Sequence, residues 1–125
     1  MLSFGGAAPI YLYAGVADMR KSFDGLLGLI EQAGMADAQQ ALSGAWFVFR
    51  NRRNDRLKIF YFDRDGLAIW YKRLEQGRFQ WPRAPMDHSS ITVDSSQLRL
   101  ILEGIDLDSV RRRRRYRRSA ASRVG

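Results

Sequence analysis

The stretch that decides the fold runs from Trp46 to Trp81 and reads WFVFRNRRNDRLKIFYFDRDGLAIWYKRLEQGRFQW. It contains short apolar runs rich in β-branched and aromatic residues, at 46–49, 57–62, 67–71 and 78–81. The clusters NRRND, DRDG and EQG separate these runs, as is typical of short strands joined by tight turns. Because the connections are too short for helical crossovers, the stretch predicts an antiparallel β-meander over residues 45–82.

The turns of this meander predict where charge gathers. Successive turns alternate between the two ends of a meander, so the turns at 51–55 and 75–77 are expected at one end and 63–66 at the other. The shared end would hold only Asp55 and Glu75 as acids. Its cations would be Arg50, Arg52, Arg53, Arg56, Lys72, Arg73 and Arg78. Such an end is a candidate phosphate-binding surface, although solvated turn charges that keep hairpins soluble explain the same residues, and taken alone the pattern favours that simpler interpretation.

Glycine-containing turn sequences and two amphipathic segments complete the pattern. Residues 63–66 (DRDG) suit a type I turn closed by Gly66 at a positive φ. One helix is expected at about 18–33 with Asp18 as its N-cap, and a second at 94–103 behind a capping box. Two glycines inside the first helix, at positions 25 and 28, predict close packing against the sheet.

The fold class predicted is α+β: an antiparallel meander of about four to six strands packed against about two helices. Short strands are also expected at 10–13 and 91–93, and a helical turn within 35–42. Together these elements predict a single domain over residues 1–110, followed by an Arg-rich flexible tail at 111–125.

Both faces of the meander carry large apolar side chains, because Phe47 and Phe49 alternate with Trp46 and Val48. If two helices cover one face, the other must be covered by the terminal segments, a second copy or a partner, since soluble proteins avoid a large exposed aromatic face. The residues predicted for a partner interface are Trp46, Tyr61, Trp70 and Tyr71. Burial in the core and stacking on single-stranded bases are the alternatives.

Charge is concentrated in the tail. The formal net charge of the 125 residues is +8, yet residues 1–110 contain 13 basic and 13 acidic residues. The excess is the eight arginines Arg111, Arg112, Arg113, Arg114, Arg115, Arg117, Arg118 and Arg123. Bound to duplex DNA, eight such charges would give a salt slope as steep as roughly −7. A solvated tail and non-specific electrostatic attraction are the simpler interpretations.

Several function classes are disfavoured by composition. The chain has no cysteine, so disulfides and thiolate metal sites are ruled out, which fits a reducing cytoplasm. Neither a membrane-length apolar run nor a signal peptide is present. The expected location is therefore cytoplasmic and nucleoid-associated, with no membrane contact.

Catalytic constellations are sparse. His88 lies in a polar loop without an obvious partner, and no phosphate-binding glycine loop or nucleophile elbow occurs. The acids available for a two-metal site are Asp18, Asp24, Asp63, Asp65, Asp106 and Asp108. Three of them are explained as turn or cap residues, and no predicted strand contains an internal acid. The chain is therefore predicted to be a non-enzyme without cofactor or metal.

Three motifs in order resemble a known family: GVADMRKSFDGL at 15–26, FVFRNRRNDRLKIFYFDRDGLAIWYKRLEQGRFQWP at 47–82, and QLRLILEGID at 97–106. They are similar to the small accessory protein of insertion-sequence-66 elements, called TnpB or Orf2, which is unrelated to the RNA-guided nuclease of the same name. The match covers about residues 10–108, with Ser22 where the family often has Gly. The resemblance implies a bacterial mobile element, a role beside a separate transposase, and no catalytic residues to carry over.

Three hypotheses follow for the function. The first is a non-catalytic transposition accessory factor that binds DNA through the basic turns and the tail, and the transposase through an aromatic surface. The second is a protein-interaction module that binds the transposase or a second copy of itself and has no DNA role. The third, which the residues favour least, is a small metal-dependent nuclease.

Overall fold

A five-stranded sheet with helices on both faces forms the structure, a computed structural model that describes residues 8–41 and 43–104. The strands are β1 (Ile10–Tyr13), β2 (Trp46–Arg50), β3 (Arg56–Asp63), β4 (Gly66–Arg73) and β5 (Ser90–Val93). The helices are α1 (Phe23–Gln32), α2 (Ala38–Ala41) and α3 (Ser95–Leu102). The α+β class predicted from the sequence is confirmed. The predicted domain boundary at residue 110 lies outside the described residues.

The strand order is β4-β3-β2-β1-β5, and the predicted meander forms the side of the sheet from β4 to β2. β2, β3 and β4 are consecutive antiparallel neighbours. β1 instead lies parallel to β2, because the connection between them contains α1 and α2 and so has the length of a crossover. β5 pairs antiparallel with the free side of β1. The sheet is therefore mixed, with one parallel pair of strands and three antiparallel pairs.

The apolar run at 78–81 was predicted as a fourth meander strand, and that prediction is wrong. After β4 the chain leaves the sheet, and Phe79 is only 1% exposed in the core on one sheet face. Its backbone N–H donates to the carbonyl of Asn54 at 2.6 Å, which holds the segment across the end of the hairpin. A short apolar run indicates burial but does not by itself distinguish a strand from an irregular buried segment.

The two main helices lie on opposite faces of the sheet. Leu98 of α3 belongs to a core cluster with Val48 and Ile59, whereas Leu26 of α1 belongs to a second cluster with Phe47. Both aromatic faces are thus covered from within the chain. Because the helices do not share one face, the condition under which terminal segments, a second copy or a partner would have to cover the other face does not arise for the central strands.

Helix α3 begins as predicted, but α1 does not. The side chain of Asp94 accepts from Gln97 N–H at 2.7 Å, and the Gln97 side chain accepts from Asp94 N–H at 2.9 Å, completing the capping box. Asp18 is not the cap of α1, because that helix starts at Phe23 behind Ser22, whose side chain makes no capping bond. The carboxylate of Asp18 is instead occupied by Arg20.

Two predictions about glycine are also wrong. A Cβ at Gly28 would meet nothing within 4 Å, and one at Gly25 would meet only the Lys21 side chain, so neither packs tightly on the sheet. In the turn at 63–66 the positive φ belongs to Arg64 (56°) rather than to Gly66. Over the described residues, no helix is long and apolar enough to cross a bilayer.

Candidate nucleic-acid interface

The basic end, defined as residues 50–56 and 72–78, is formed where two connections meet at one end of the sheet. Arg56 lies opposite Arg73 at the last paired position of β3 and β4. Beyond them, the N–H of Leu74 donates to the carbonyl of Asp55 at 2.7 Å. The turn at 51–55 and the bend at 75–77 are therefore neighbours, as the alternation of turns predicted, even though the bend does not lead into another strand.

Asn51 organises the turn of the basic end. Its side-chain oxygen accepts from the N–H groups of Asp55 (3.1 Å) and Arg56 (3.0 Å), and its Nδ2 donates to the Asp55 carboxylate at 2.6 Å. This last bond favours the ionised carboxylate and lowers the pKa of Asp55. Because Asn51 supplies these bonds, the exposed side chains of Arg52 and Arg53 are not needed to hold the turn.

Arg50 is a tether rather than a free cation. Its guanidinium donates to Asn54 Oδ1 at 2.9 Å and to the carbonyl of Ala14 at 3.2 Å, and lies 5.3 Å from the centre of the Trp81 ring. Its Nε is buried without a hydrogen-bond partner, and burial lowers the pKa of the guanidinium. Among the cations predicted to bind phosphate, Arg50 is the one already committed to its own turn and to two other segments, at Ala14 and Trp81.

The remaining cations of the basic end differ in their exposure and in whether they pair with another side chain. Arg56 is half-buried and donates to the Tyr71 hydroxyl at 3.3 Å, while Arg73 makes an exposed ion pair of 3.0 Å with Glu75. Lys72 and Arg78 are exposed. Within the part of the chain that the structure describes, Arg52, Arg53, Lys72 and Arg78 make no ion pair, so these four are the most available for an anion.

Lys58 is a structural cation that the sequence analysis did not single out. It is only 7% exposed, and its Nζ donates to the carbonyls of Met19 (2.8 Å) and Lys21 (2.7 Å). Its ammonium also lies 4.7 Å from the centre of the Tyr71 ring. A lysine inside the apolar run LKIFYF was the available signal, since a buried lysine requires partners.

Met19 and Lys21 lie in the loop before α1, and Lys58 holds this loop beside the basic end through their carbonyls. A groove of about 410 Å³ lies between the loop and the turn, lined by Asp18, Met19, Arg20, Asn51, Arg53, Asp55 and Arg56. Asp18 and Arg20 form an ion pair of 2.8 Å, and this hydrogen-bonded contact lowers the pKa of the Asp18 carboxyl to about 2. The structure thus brings Arg20, which the charge pattern of the meander did not include, to the same end as Arg53.

The four aromatic residues predicted for a partner interface do not share one surface. Trp46 is 8% exposed and its ring centre lies 5.4 Å from that of Tyr61. Tyr61 and Trp70 are half-buried against the same core cluster. Tyr71 follows Trp70 and points to the opposite face, where it is 47% exposed. Trp46 therefore belongs to the core, and whether the other three contact a partner stays a prediction.

No metal-binding cluster occurs in the described ranges 8–41 and 43–104. No group of three or more histidine or carboxylate side chains there could hold a metal ion. His88 is exposed in its loop, Asp63 is the last residue of β3, and Asp65 lies in the turn that follows. The predicted candidates Asp106 and Asp108 and all the arginines of the tail lie outside the described residues.

Comparison with known proteins gives one family and two relatives. A family described as "IS66 Orf2 like protein" matches residues 8–112. The chain is 34% identical over 106 residues to "Uncharacterized protein y4hO" from Sinorhizobium fredii (strain NBRC 101917 / NGR234), covering 85% of this chain and 88% of that protein. It is 33% identical over 96 residues to "Uncharacterized protein y4jC" from the same strain, covering 77% and 78%. No solved structure matches significantly.

Proposed function

This chain belongs to the IS66 Orf2-like family of insertion-sequence accessory proteins, and on that premise we propose that it supports transposition by binding DNA phosphates through its basic end. The observation that carries the proposal is the meeting of the two basic connections. The bonds from Leu74 to Asp55 and from Phe79 to Asn54 bring seven cations together with two carboxylates. A cation-rich end on a rigid sheet attracts a polyanion without requiring induced folding.

The state of the carboxylates supports the same function. Asp55 is hydrogen-bonded by Asn51, and Glu75 is paired with Arg73, so both acids of the basic end are already engaged. Arg52, Arg53, Lys72 and Arg78 are left exposed, with no ion pair within the described residues. These side chains are the ones that we expect to contact phosphate oxygens, with Arg50 fixing the turn beneath them.

The proposed binding is electrostatic and tolerant of sequence. Helix α1 contains no basic residue, and the only one in α3 is Arg99, so neither resembles a recognition helix. Phosphate contacts orient a protein on DNA without reading bases. The eight arginines of residues 111–125 are proposed to add to this attraction as an arm, and nucleoid association would follow from both contributions.

The direct test measures how DNA affinity depends on salt. Replacing Arg52 and Arg53 together by Ala should lower the salt slope for duplex binding by about 2, since each phosphate contact contributes roughly 0.9. The matched control is Arg64→Gly together with Arg83→Ala, which removes the same charge from the far turn and from an exposed loop. Fluorescence anisotropy titrations over a salt series provide the measurement.

The tail must be separated from the basic end in the same assay. A full-length chain whose eight tail arginines are replaced by Gln keeps its length and loses only the charge. If this chain binds duplex DNA at low salt, and Arg52→Ala with Arg53→Ala weakens it further, the basic end contributes. If the tail variant does not bind at all, the proposal fails and the cations of the turns are ordinary surface residues.

The transposase of the same element is the second proposed partner, and its support is the family alone. Co-purification of the two proteins in nuclease-treated extracts at about 0.5 M salt, where exposed charge attraction is largely screened, tests this contact without DNA. A chain that binds the transposase but shows no salt-dependent DNA binding would favour the interaction-module hypothesis. A DNA cleavage assay with Mg²⁺ or Mn²⁺ tests the nuclease hypothesis.

A further inference from the structure

Strand β4 forms an open edge of the sheet. Among the described residues only β3 lies beside it, and its eight residues pair one-to-one with β3 from Gly66 to Arg73, so no bulge interrupts it. The strand contains no proline, and its only charged residues are Lys72 and Arg73 at one end. Proteins usually protect long edges with prolines, bulges or charges, because an unprotected edge pairs with another strand.

The hairpin geometry fixes which backbone groups face outward. In a two-residue hairpin loop the flanking residues, here Asp63 and Gly66, form a hydrogen-bonded pair, and bonded and non-bonded pairs alternate from there. Even-numbered residues therefore bond to β3, in agreement with the bond from Leu74 N–H to Asp55. The N–H and C=O groups that point outward belong to Leu67, Ile69, Tyr71 and Arg73.

We propose that this edge pairs antiparallel with β4 of a second copy of the chain, around a two-fold axis that places Ile69 opposite Ile69 of the second copy. In this register every outward backbone group from Leu67 to Tyr71 meets an outward group. Leu67 lies opposite Tyr71, which is 47% exposed in the single chain. On the other face Trp70 lies opposite Ala68, so a large half-buried side chain meets a small one.

Charge complementarity selects this register over its neighbours. Arg73 of each copy lies opposite Asp65 of the other, which gives two equivalent ion pairs at the ends of the paired strands. Sliding by two residues in one direction would bring Asp65 beside Glu75, and sliding in the other would move Asp65 from Arg73 to Tyr71. Both alternatives lose the two pairs between Arg73 and Asp65, whereas a shift by one residue would bring outward backbone groups against inward ones.

The pairing leads to a ten-stranded sheet whose two basic ends point in opposite directions. It does not depend on the proposed DNA contact, since it involves backbone groups and side chains of the strand itself. If the proposed function also holds, one dimer would present two separate DNA-binding ends. A failure of either proposal is visible separately, because dimer formation is measured without DNA and DNA binding is measured per chain.

Tyr71→Pro and Tyr71→Ala form the matched pair of variants for the test. Both lose the aromatic ring, but only proline removes the outward N–H, and proline is tolerated on edge strands where the N–H faces solvent. Sedimentation velocity of the full-length chains should show a dimer for the parent, a weakened dimer for Tyr71→Ala and a monomer for Tyr71→Pro. A monomeric parent, or equal behaviour of the two variants, would overturn the proposal.

Cysteine cross-linking tests the register, and the chain has no native cysteine that could form a competing disulfide. Ile69→Cys should form an intermolecular disulfide under mild oxidation, because directly opposed strand residues lie within disulfide range. Thr92→Cys on the opposite sheet edge is the control for random collision and should not cross-link. Cross-linking through Thr92→Cys but not Ile69→Cys would assign the contact to β5 and refute the inference.

A charge exchange tests the ends of the interface. Arg73→Asp should raise the dissociation constant of the dimer roughly tenfold, because symmetry removes two exposed ion pairs at once. Adding Asp65→Arg to the same chain should restore most of the affinity. If the double variant is as weak as the single one, Asp65 does not oppose Arg73 and the proposed register is wrong.

Discussion

The two turns that flank β3, at 51–55 and 63–66, both reverse the chain next to charged residues, but they are held in different ways. At the basic end, side chains hold the backbone: Asn51 bonds to three groups of the turn, and Arg50 reaches Asn54. At the far end a two-residue loop closes through the backbone alone, with Asp65 N–H donating to the carbonyl of Asp63 at 2.6 Å. The basic end is therefore held by side-chain hydrogen bonds that the far turn lacks among the described residues, as suits a pre-formed binding surface.

The largest expected effect concerns the lysine that joins the loop before α1 to the basic end. Lys58→Met should lower the free energy of unfolding by about 3 kcal/mol, because two hydrogen bonds from an ammonium to backbone carbonyls are lost. Lys72→Met on the neighbouring strand is the control, since that side chain is exposed and its loss should cost less than ~0.5 kcal/mol. Urea unfolding followed by tryptophan fluorescence measures both, and similar losses would contradict the structural role of Lys58.

The second effect tests whether side chains hold the basic turn. Asn51→Ala should destabilise the protein by about 2 kcal/mol, because it leaves two backbone N–H groups and the Asp55 carboxylate without their partner. Asn51→Asp keeps the acceptor for the N–H groups but places a second carboxylate beside Asp55, so an intermediate loss is expected. If Asn51→Ala lowers the free energy of unfolding by less than Lys72→Met does, the side chain of Asn51 does not hold the basic turn.

Two non-glycine residues among the described ones have positive φ, and one lies in each turn. Arg64 (φ 56°) carries strain that a glycine would relieve, so Arg64→Gly should stabilise the protein by about 0.5–1 kcal/mol, whereas Arg64→Ala should not. At the basic end, Asn54 (φ 58°) accepts a hydrogen bond from Arg50, so Asn54→Gly should give no gain. Thermal unfolding of these three variants gives the comparison, and a gain at Asn54 would show that its hydrogen bond is unimportant.

The smallest expected effect concerns the pKa of Asp18, which lines the groove. Arg20 holds the pKa of Asp18 at about 2, below the usual 3.8. Because the folded pKa is the lower one, the stabilisation from this pair is present above about pH 4 and disappears as the pH falls towards 2. Arg20→Ala should raise the Asp18 pKa towards 3.8, as measured by NMR titration of the carboxyl carbon. An unchanged pKa would mean that the ion pair does not form in solution.

Sequence patterns predicted much of the fold because local chemistry dominates in those segments. The alternating apolar runs of β2 to β4 and the capping box of α3 each require only neighbouring residues to be interpreted. The same reasoning failed at 78–81, where contacts with distant segments draw Phe79 into the core. It also failed at Asp18, where the side chain of Arg20, two residues further on, occupies the carboxylate that would have capped a helix.

For the candidate site, the sequence located the cations but not their roles. It predicted that the turns at 51–55 and 75–77 share one end, which follows from strand alternation. It did not separate Arg50, which tethers the turn, from Arg52 and Arg53, which are exposed. It also did not identify Lys58 and Arg20, because their positions depend on a loop more than thirty residues away in sequence from β3.

By itself the sequence determined that this protein is an α+β chain with a neutral body, a basic tail and the motifs of the IS66 Orf2-like family. Periodicity, turn chemistry and charge counts are local properties, and they are readable without coordinates. The placement of the helices on opposite faces, the parallel pairing of β1 with β2, and the contact of Lys58 with the loop before α1 became visible only in the folded chain. Each of these depends on contacts between distant segments, whose competition for burial and hydrogen bonds no local pattern records.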